Sequence, residues 1–140
     1  MKEDINIQSM AQSNKKILIV DDDERNIFAL SAVLKARSFE CITATSGIEA
    51  LTILKNEENI AAALIDMMMP DMDGYELINI MQSDDAFTSI PLVAITAQAM
   101  PGDREKCLKA GADAYVSKPV DVDVLMNVLH DLFINKAISA

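Results

Sequence analysis

The chain has 140 residues, of which 51% are hydrophobic, and its 22 acidic and 12 basic side chains give a formal net charge of -10. A chain of this length and hydrophobic content is expected to fold as one domain around its own core, which excludes a disordered protein. The acidic balance opposes counterion-driven binding to nucleic acid, so we expect no direct nucleic-acid contact.

Residues 1–14 are polar and aperiodic, and we predict that they form a flexible tail ahead of a single domain at residues 15–136. They lack the apolar core of a secretory signal, and no apolar run in the chain approaches the length that crosses a bilayer. The two cysteines fit a reducing compartment. We therefore expect a cytoplasmic protein without membrane insertion.

Apolar runs and helical spacings alternate along the chain. The run at residues 16–20 predicts a strand that stops at Asp21 and Asp22, and apolar residues then return at helical spacing as far as residue 37. The same unit repeats four times. The later predicted strands are residues 41–45, 61–65, 91–95 and 112–116, and the later helices begin near residues 47, 74, 101 and 121.

The third strand carries the most informative stretch. Its apolar run is typical of a strand buried on both faces, and it ends abruptly at one carboxylate, Asp66. Pro70 and Gly74 give the following loop a defined shape, and Asp73 is positioned to cap the helix that begins at Gly74. We therefore expect the chemistry of the protein in this loop.

Five uniformly apolar strands that alternate with five helices predict a doubly wound α/β domain, a parallel sheet with helices on both faces. In such domains ligands bind outside the carboxyl ends of the strands, where the strand order reverses. The polar residues at the predicted strand ends are therefore the candidate site. They are Asp21, Asp22, Asp66, Thr96 and Lys118.

These residue types together favour phosphoryl chemistry. Three carboxylates in one crevice repel each other unless a hard cation binds them, and Mg²⁺ suits a site with few protein oxygens. A lysine and a hydroxyl can hold the other oxygens of a phosphoryl group, and a carboxylate can accept that group as an acyl phosphate. Each residue alone has a simpler interpretation, since an aspartate after a strand often only caps the next helix.

The chain resembles the receiver domain of two-component response regulators from about residue 15 to residue 133. The resemblance is carried by residues 17–22, by Asp66 with Pro70 and Gly74 after it, by residues 95–97, and by residues 118–119, in the order and spacing of the family. It implies a flavodoxin-like sheet with strand order 2-1-3-4-5.

The resemblance also implies how the acidic residues act. Asp66 would be the phosphoacceptor, and Asp22 and Asp66 would bind Mg²⁺ together with the backbone carbonyl of Met68. Asp21 would act on the metal mainly through water.

Three further roles follow from the same resemblance. Thr96 and Lys118 would bind phosphoryl oxygens, and Tyr115 would be the aromatic residue whose side-chain position follows Thr96. The peptide between Lys118 and Pro119 would be cis.

The leading hypothesis is a signalling module that is not an enzyme beyond its own phosphoryl uptake and slow autodephosphorylation. Its donor would be a histidine kinase or histidine phosphotransfer protein. A downstream protein or a second copy would bind the surface of the fourth helix, fifth strand and fifth helix.

Two alternatives are a magnesium-dependent phosphatase with an aspartyl-phosphate intermediate and a degenerate domain that takes no phosphate. The complete set of site residues disfavours the degenerate domain. Residues 71–74 superficially match the nucleophile motif of haloacid-dehalogenase-like phosphatases, but Pro70 stands where that motif needs a strand.

Overall fold

The computed structural model of the protein describes residues 15–97 and 100–139. Within these ranges five strands and five helices alternate, as predicted. They are β1 (Lys16–Val20), α1 (Glu24–Ala36), β2 (Glu40–Ala44), α2 (Gly47–Asn56), β3 (Ile60–Asp66), α3 (Gly74–Gln82), β4 (Leu92–Thr96), α4 (Asp103–Ala110), β5 (Ala114–Ser117) and α5 (Val122–Ser139). The predicted tail at residues 1–14 lies outside the described residues, and the domain limits stay a prediction.

The strands form one parallel sheet in the order β2-β1-β3-β4-β5, which confirms the predicted fold class. β3 is central and buried at every residue because its side chains are apolar as far as Asp66. β2 and β5 are the edge strands. The chain reverses its direction across the sheet between β1 and β3, so a crevice opens where these two strands end.

Two apolar layers cover the sheet, one on each face. Alternate residues of each strand point to opposite faces, so Leu18 and Val20 pack with α2, α3 and α4, while Ile17 and Ile19 pack with α1 and α5. Leu77, in the first layer, is fully buried on α3. Helices therefore cover both faces of the sheet and leave the strand ends at its edge.

Side chains at the helix starts satisfy free backbone N–H groups. The Asp73 carboxylate accepts the N–H of Glu76 at 2.9 Å, which confirms the predicted cap of α3. Ser46 caps α2 in the same way and accepts the N–H of Glu49 at 3.1 Å. The Glu49 carboxylate in turn accepts the N–H of Thr45 at 2.6 Å, one residue before the N-cap, so the two side chains together form a variant of the capping box.

α5 is 18 residues long and packs one face on the sheet. Leu125, Leu129 and Phe133 are buried along that face. Val124 lies beside this buried line and is 47% exposed. Neither α5 nor any other helix in the described ranges combines the length and the apolar character needed to cross a membrane.

Candidate phosphoryl and metal site

Asp66 is the last residue of β3, and its carboxylate lies at the carboxyl edge of the sheet. The side chain is only 4% exposed. Its Oδ1 accepts the backbone N–H of Met68 at 3.1 Å, and the Nζ of Lys118 lies 3.6 Å from the same oxygen. A buried strand therefore presents one carboxylate at the bottom of the crevice, next to one ammonium group.

The loop after Asp66 is fixed by a close backbone approach. Met67 is buried, and its N–H donates to the carbonyl of Ile95 at 2.9 Å, which extends the pairing of β3 with β4 past Asp66. A Cβ at Gly74 would lie 2.7 Å from the Cα of Met67 and 3.0 Å from the carbonyl oxygen of Asp66. Glycine is therefore required for α3 to begin directly behind the strand end.

Asp21 and Asp22 follow β1 and meet Asp66 at the reversal point. One carboxylate oxygen from each of the three residues lies within 4.8 Å of the other two, and in the described ranges this is the acidic group close enough to share an ion. Asp21 is buried and Asp22 is exposed. Oxygen donors alone form the cluster, and such a donor set fits a hard cation such as Mg²⁺.

Thr96 is the last residue of β4, and Lys118 follows the neighbouring strand β5 directly. Thr96 is buried at the end of β4 and pairs with Ser117, and its carbonyl accepts the N–H of Lys118 at 2.8 Å. The Nζ of Lys118 lies 3.3 Å from Oδ2 of Asp21 and 3.6 Å from Oδ1 of Asp66. Lys118 thus bridges two carboxylates, and its peptide bond to Pro119 is cis.

The crowding changes the protonation of Asp66. The pKa of its carboxyl group is raised from 3.8 to about 6, first because the group is buried and second because the negative charge of Asp21 is close to it. The N–H of Met68 and the charge of Lys118 oppose this increase. The ionised carboxylate is therefore costly here, and a bound cation would favour it.

Tyr115 lies on β5, half-buried, and pairs with Ala94 of β4. Thr96 is two residues beyond Ala94, so Thr96 and Tyr115 lie on adjacent strands with their side chains on the same face. Burial raises the pKa of the Tyr115 hydroxyl, and the negative charge of Asp103 adds to the effect. The hydroxyl therefore stays protonated.

Two arrangements were not predicted from the sequence. One is the pairing of Lys118 with Asp21, which lies 97 positions away in the chain. The other involves Tyr75, whose hydroxyl oxygen lies 3.6 Å from the sulfur of Cys107 and whose ring lies 4.6 Å from the Nζ of Lys106. No motif in the sequence marks either contact, since both depend on how distant elements pack.

The profile of the response regulator receiver domain matches residues 17–130. The polar-differentiation response regulator DivK of Brucella ovis is 35% identical over 108 residues, which cover 77% of this chain and 87% of DivK.

Solved structures agree. A CheY-like response regulator receiver domain protein from Methanospirillum hungatei superposes with a TM-score of 0.82 at 30% identity, covering 91% of this chain and 100% of that one. The receiver domain of a sensor histidine kinase from Pseudomonas aeruginosa, which has a magnesium ion in its active site cleft, gives a TM-score of 0.78 at 29% identity, covering 86% and 98%. The chain therefore belongs to the response regulator receiver domain family of two-component signalling.

Proposed function

We propose that this chain is a phosphorylation-activated receiver that accepts a phosphoryl group from a phosphohistidine onto Asp66. One observation carries the proposal. The buried Asp66 carboxylate lies within 4.8 Å of ligand oxygens of Asp21 and Asp22, and 3.6 Å from the ammonium of Lys118. Three carboxylates suit a divalent cation and the lysine suits phosphoryl oxygens, so the arrangement can bind a cation and a phosphoryl group side by side.

Asp22, Asp66 and the carbonyl of Met68 would hold Mg²⁺, and Asp21 would act on it mainly through water. When bound, the ion supplies positive charge that offsets the repulsion between the carboxylates and the incoming phosphoryl oxygens. The magnesium in the active site cleft of the Pseudomonas receiver domain supports this assignment. Asp21 also orients Lys118 through the ion pair at 3.3 Å.

In the transfer, a carboxylate oxygen of Asp66 attacks the phosphorus. The new O–P bond forms as the P–N bond to the donor imidazole breaks, and the imidazole nitrogen keeps the electron pair and takes a proton from solvent. Because Oδ1 accepts the N–H of Met68, we assign the attack to Oδ2. Once phosphorylated, the carboxyl group of Asp66 is no longer an anion, which weakens its ion pair with Lys118 and leaves the ammonium able to bind a phosphoryl oxygen, while the Thr96 hydroxyl binds another.

The switch that follows would involve Tyr115. As Thr96 moves toward the phosphoryl group, space opens on the same face of the sheet and Tyr115 turns inward. α4 has one buried side chain, Cys107, and its N-cap residue is Gly102, which has no side chain to cap the helix. This helix is therefore easily displaced. Phosphorylation would shift a population between two arrangements and change the surface of α4, β5 and α5, where a target protein or second copy would bind. The donor would be a histidine kinase or histidine phosphotransfer protein.

The site gives no support to a nucleophile at residues 71–74. The Asp73 side chain caps α3, and Asp71 is exposed to solvent away from the three-carboxylate cluster. Asp71 therefore offers a matched control for changes at Asp66.

The proposal is tested by incubation with acetyl phosphate and Mg²⁺. Wild-type protein and Asp71→Asn should form a stoichiometric, acid-stable and hydroxylamine-labile adduct, whereas Asp66→Asn should form none because an amide is a poor nucleophile. Undiminished labelling of Asp66→Asn would move the acceptor elsewhere. Rapid turnover of many phosphoesters by the wild type would favour a phosphatase instead.

A further inference from the structure

α4 is attached to α3 differently at its two ends. At the C-terminal end, Gly111 has a φ of +123°, and a Cβ there would lie 2.9 Å from the Cγ of Gln82 and 3.1 Å from a methyl carbon of Ile78. The Gln82 amide also donates to the carbonyl of Gly111 at 3.3 Å. This end is held by a close backbone approach that only glycine permits.

The rest of α4 is held to α3 by softer contacts. The hydroxyl oxygen of Tyr75, in the first turn of α3, lies 3.6 Å from the sulfur of Cys107, and either group can donate in this hydrogen bond. The Nζ of Lys106 lies 4.6 Å from the centroid of the Tyr75 ring, within the range of a cation–π interaction. We name these two contacts of Tyr75 the Tyr75 clasp.

The clasp begins next to the candidate site. Tyr75 follows Gly74, which packs against Met67 and the carbonyl of Asp66 with no room for a side chain. A displacement of the loop after Asp66 therefore moves the start of α3, and with it the ring that Lys106 covers. At the other end of α4, the packing of Gly111 leaves that end as a pivot.

We propose that the Tyr75 clasp couples the loop after Asp66 to α4, so that Tyr75 and Lys106 are positioning residues for α4. This inference rests on the proposed function, because it takes the loop to respond to a phosphoryl group on Asp66. The coupling is separate from the one through Thr96 and Tyr115, since it runs along α3 and not through β4 and β5. A contact on an exposed lysine is weak, so it can form and break as the helix moves.

The first test needs no phosphoryl group. Lys106→Met removes the cation, and Lys109→Met is a matched control because both lysines are exposed on α4. Amides of residues 103–110 should exchange about two- to fivefold faster in Lys106→Met than in the control, and Lys106→Arg should restore the wild-type rate. Equal exchange in Lys106→Met and Lys109→Met would overturn the clasp. In a Tyr75→Leu background, Lys106→Met should have no further effect, and a full additive effect would also overturn it.

The second test adds beryllofluoride and Mg²⁺ to the whole chain. In wild-type protein and Lys109→Met, exchange should change both in the loop after Asp66 and in α4. In Lys106→Met the loop response should persist while the α4 response shrinks, and an undiminished α4 response would refute the coupling. Failure of the wild-type loop to respond would instead refute phosphoryl binding at Asp66, and the exchange rates measured without beryllofluoride would still decide whether the clasp exists.

Discussion

Asp66→Asn should stabilise the folded protein at neutral pH when divalent cations are chelated. Burial raises the pKa of Asp66 from 3.8 to about 6, so the folded state binds a proton at pH values where the unfolded state has lost it. The contribution of Asp66 to the free energy of unfolding is therefore fully present below about pH 4, is lost as the pH rises toward about 6, and stays constant above that value.

The pKa values set the size of the effect. A rise from 3.8 to about 6 corresponds to a loss of about 3 kcal/mol at neutral pH. Asparagine has nearly the same shape and no charge, and the attraction of Lys118 at 3.6 Å is already included in the pKa of about 6. We expect Asp66→Asn to raise the free energy of unfolding by about 1–3 kcal/mol at about pH 7.5.

Urea unfolding in EDTA between about pH 4.5 and about pH 7.5 measures this difference. The difference in the free energy of unfolding between Asp66→Asn and wild type should increase up to about pH 6 and then stay constant. Asp71→Asn is the control, since Asp71 is exposed at a φ of +65°, a conformation that asparagine also tolerates. A gap that does not depend on pH would show that charge burial at Asp66 is not its cause.

Three further predictions concern the metal, the loop after Asp66, and the surface of α4, β5 and α5. Mg²⁺ at about 100 times its Kd should stabilise the wild type by about 2.7 kcal/mol in thermal unfolding, and Asp22→Ala should lose most of this, whereas equal stabilisation would make the acidic turn only a helix cap. Gly74→Ala should cost about 1–3 kcal/mol in urea unfolding because its Cβ would lie 2.7 Å from the Cα of Met67, and an unchanged midpoint would contradict that packing. Beryllofluoride with Mg²⁺ should alter hydrogen exchange between residues 97 and 116, and changes confined to the loop after Asp66 would defeat the switch through Thr96.

The sequence predicts the order and type of the elements because the strands are uniformly apolar. β3 shows this most clearly, since its apolar run and the carboxylate that ends it can both be read directly. The boundaries of α4 are less predictable. The predicted helix starts near residue 101, but Gly102 has a φ of +90° and the helix begins at Asp103. A single glycine in a left-handed conformation decides that boundary, and the spacing of apolar residues gives no sign of it.

The residues that form the candidate site can be predicted for the same reason, but the contacts between them cannot. Parallel strands bring their carboxyl ends to one edge, so the residues at or directly after the ends of β1, β3, β4 and β5 lie at that edge together. Which of their side chains contact each other depends on how deeply each one is buried and on the register of the strands. The contact of Lys118 with Asp21, and the burial that raises the pKa of Asp66, are set by tertiary packing.

The edge strand β2 contributes a backbone hydrogen bond to the candidate site and none of its side chains. The carbonyl of Ala44 accepts the N–H of Asp21 at 3.1 Å, while the four strands β1, β3, β4 and β5 supply the site residues. The β2–α2 side of the domain is therefore the place for a spectroscopic label. In Lys55→Cys, on the exposed face of α2, a thiol reagent would modify the new residue first, because Cys107 is buried and burial raises the pKa of Cys41 to about 11.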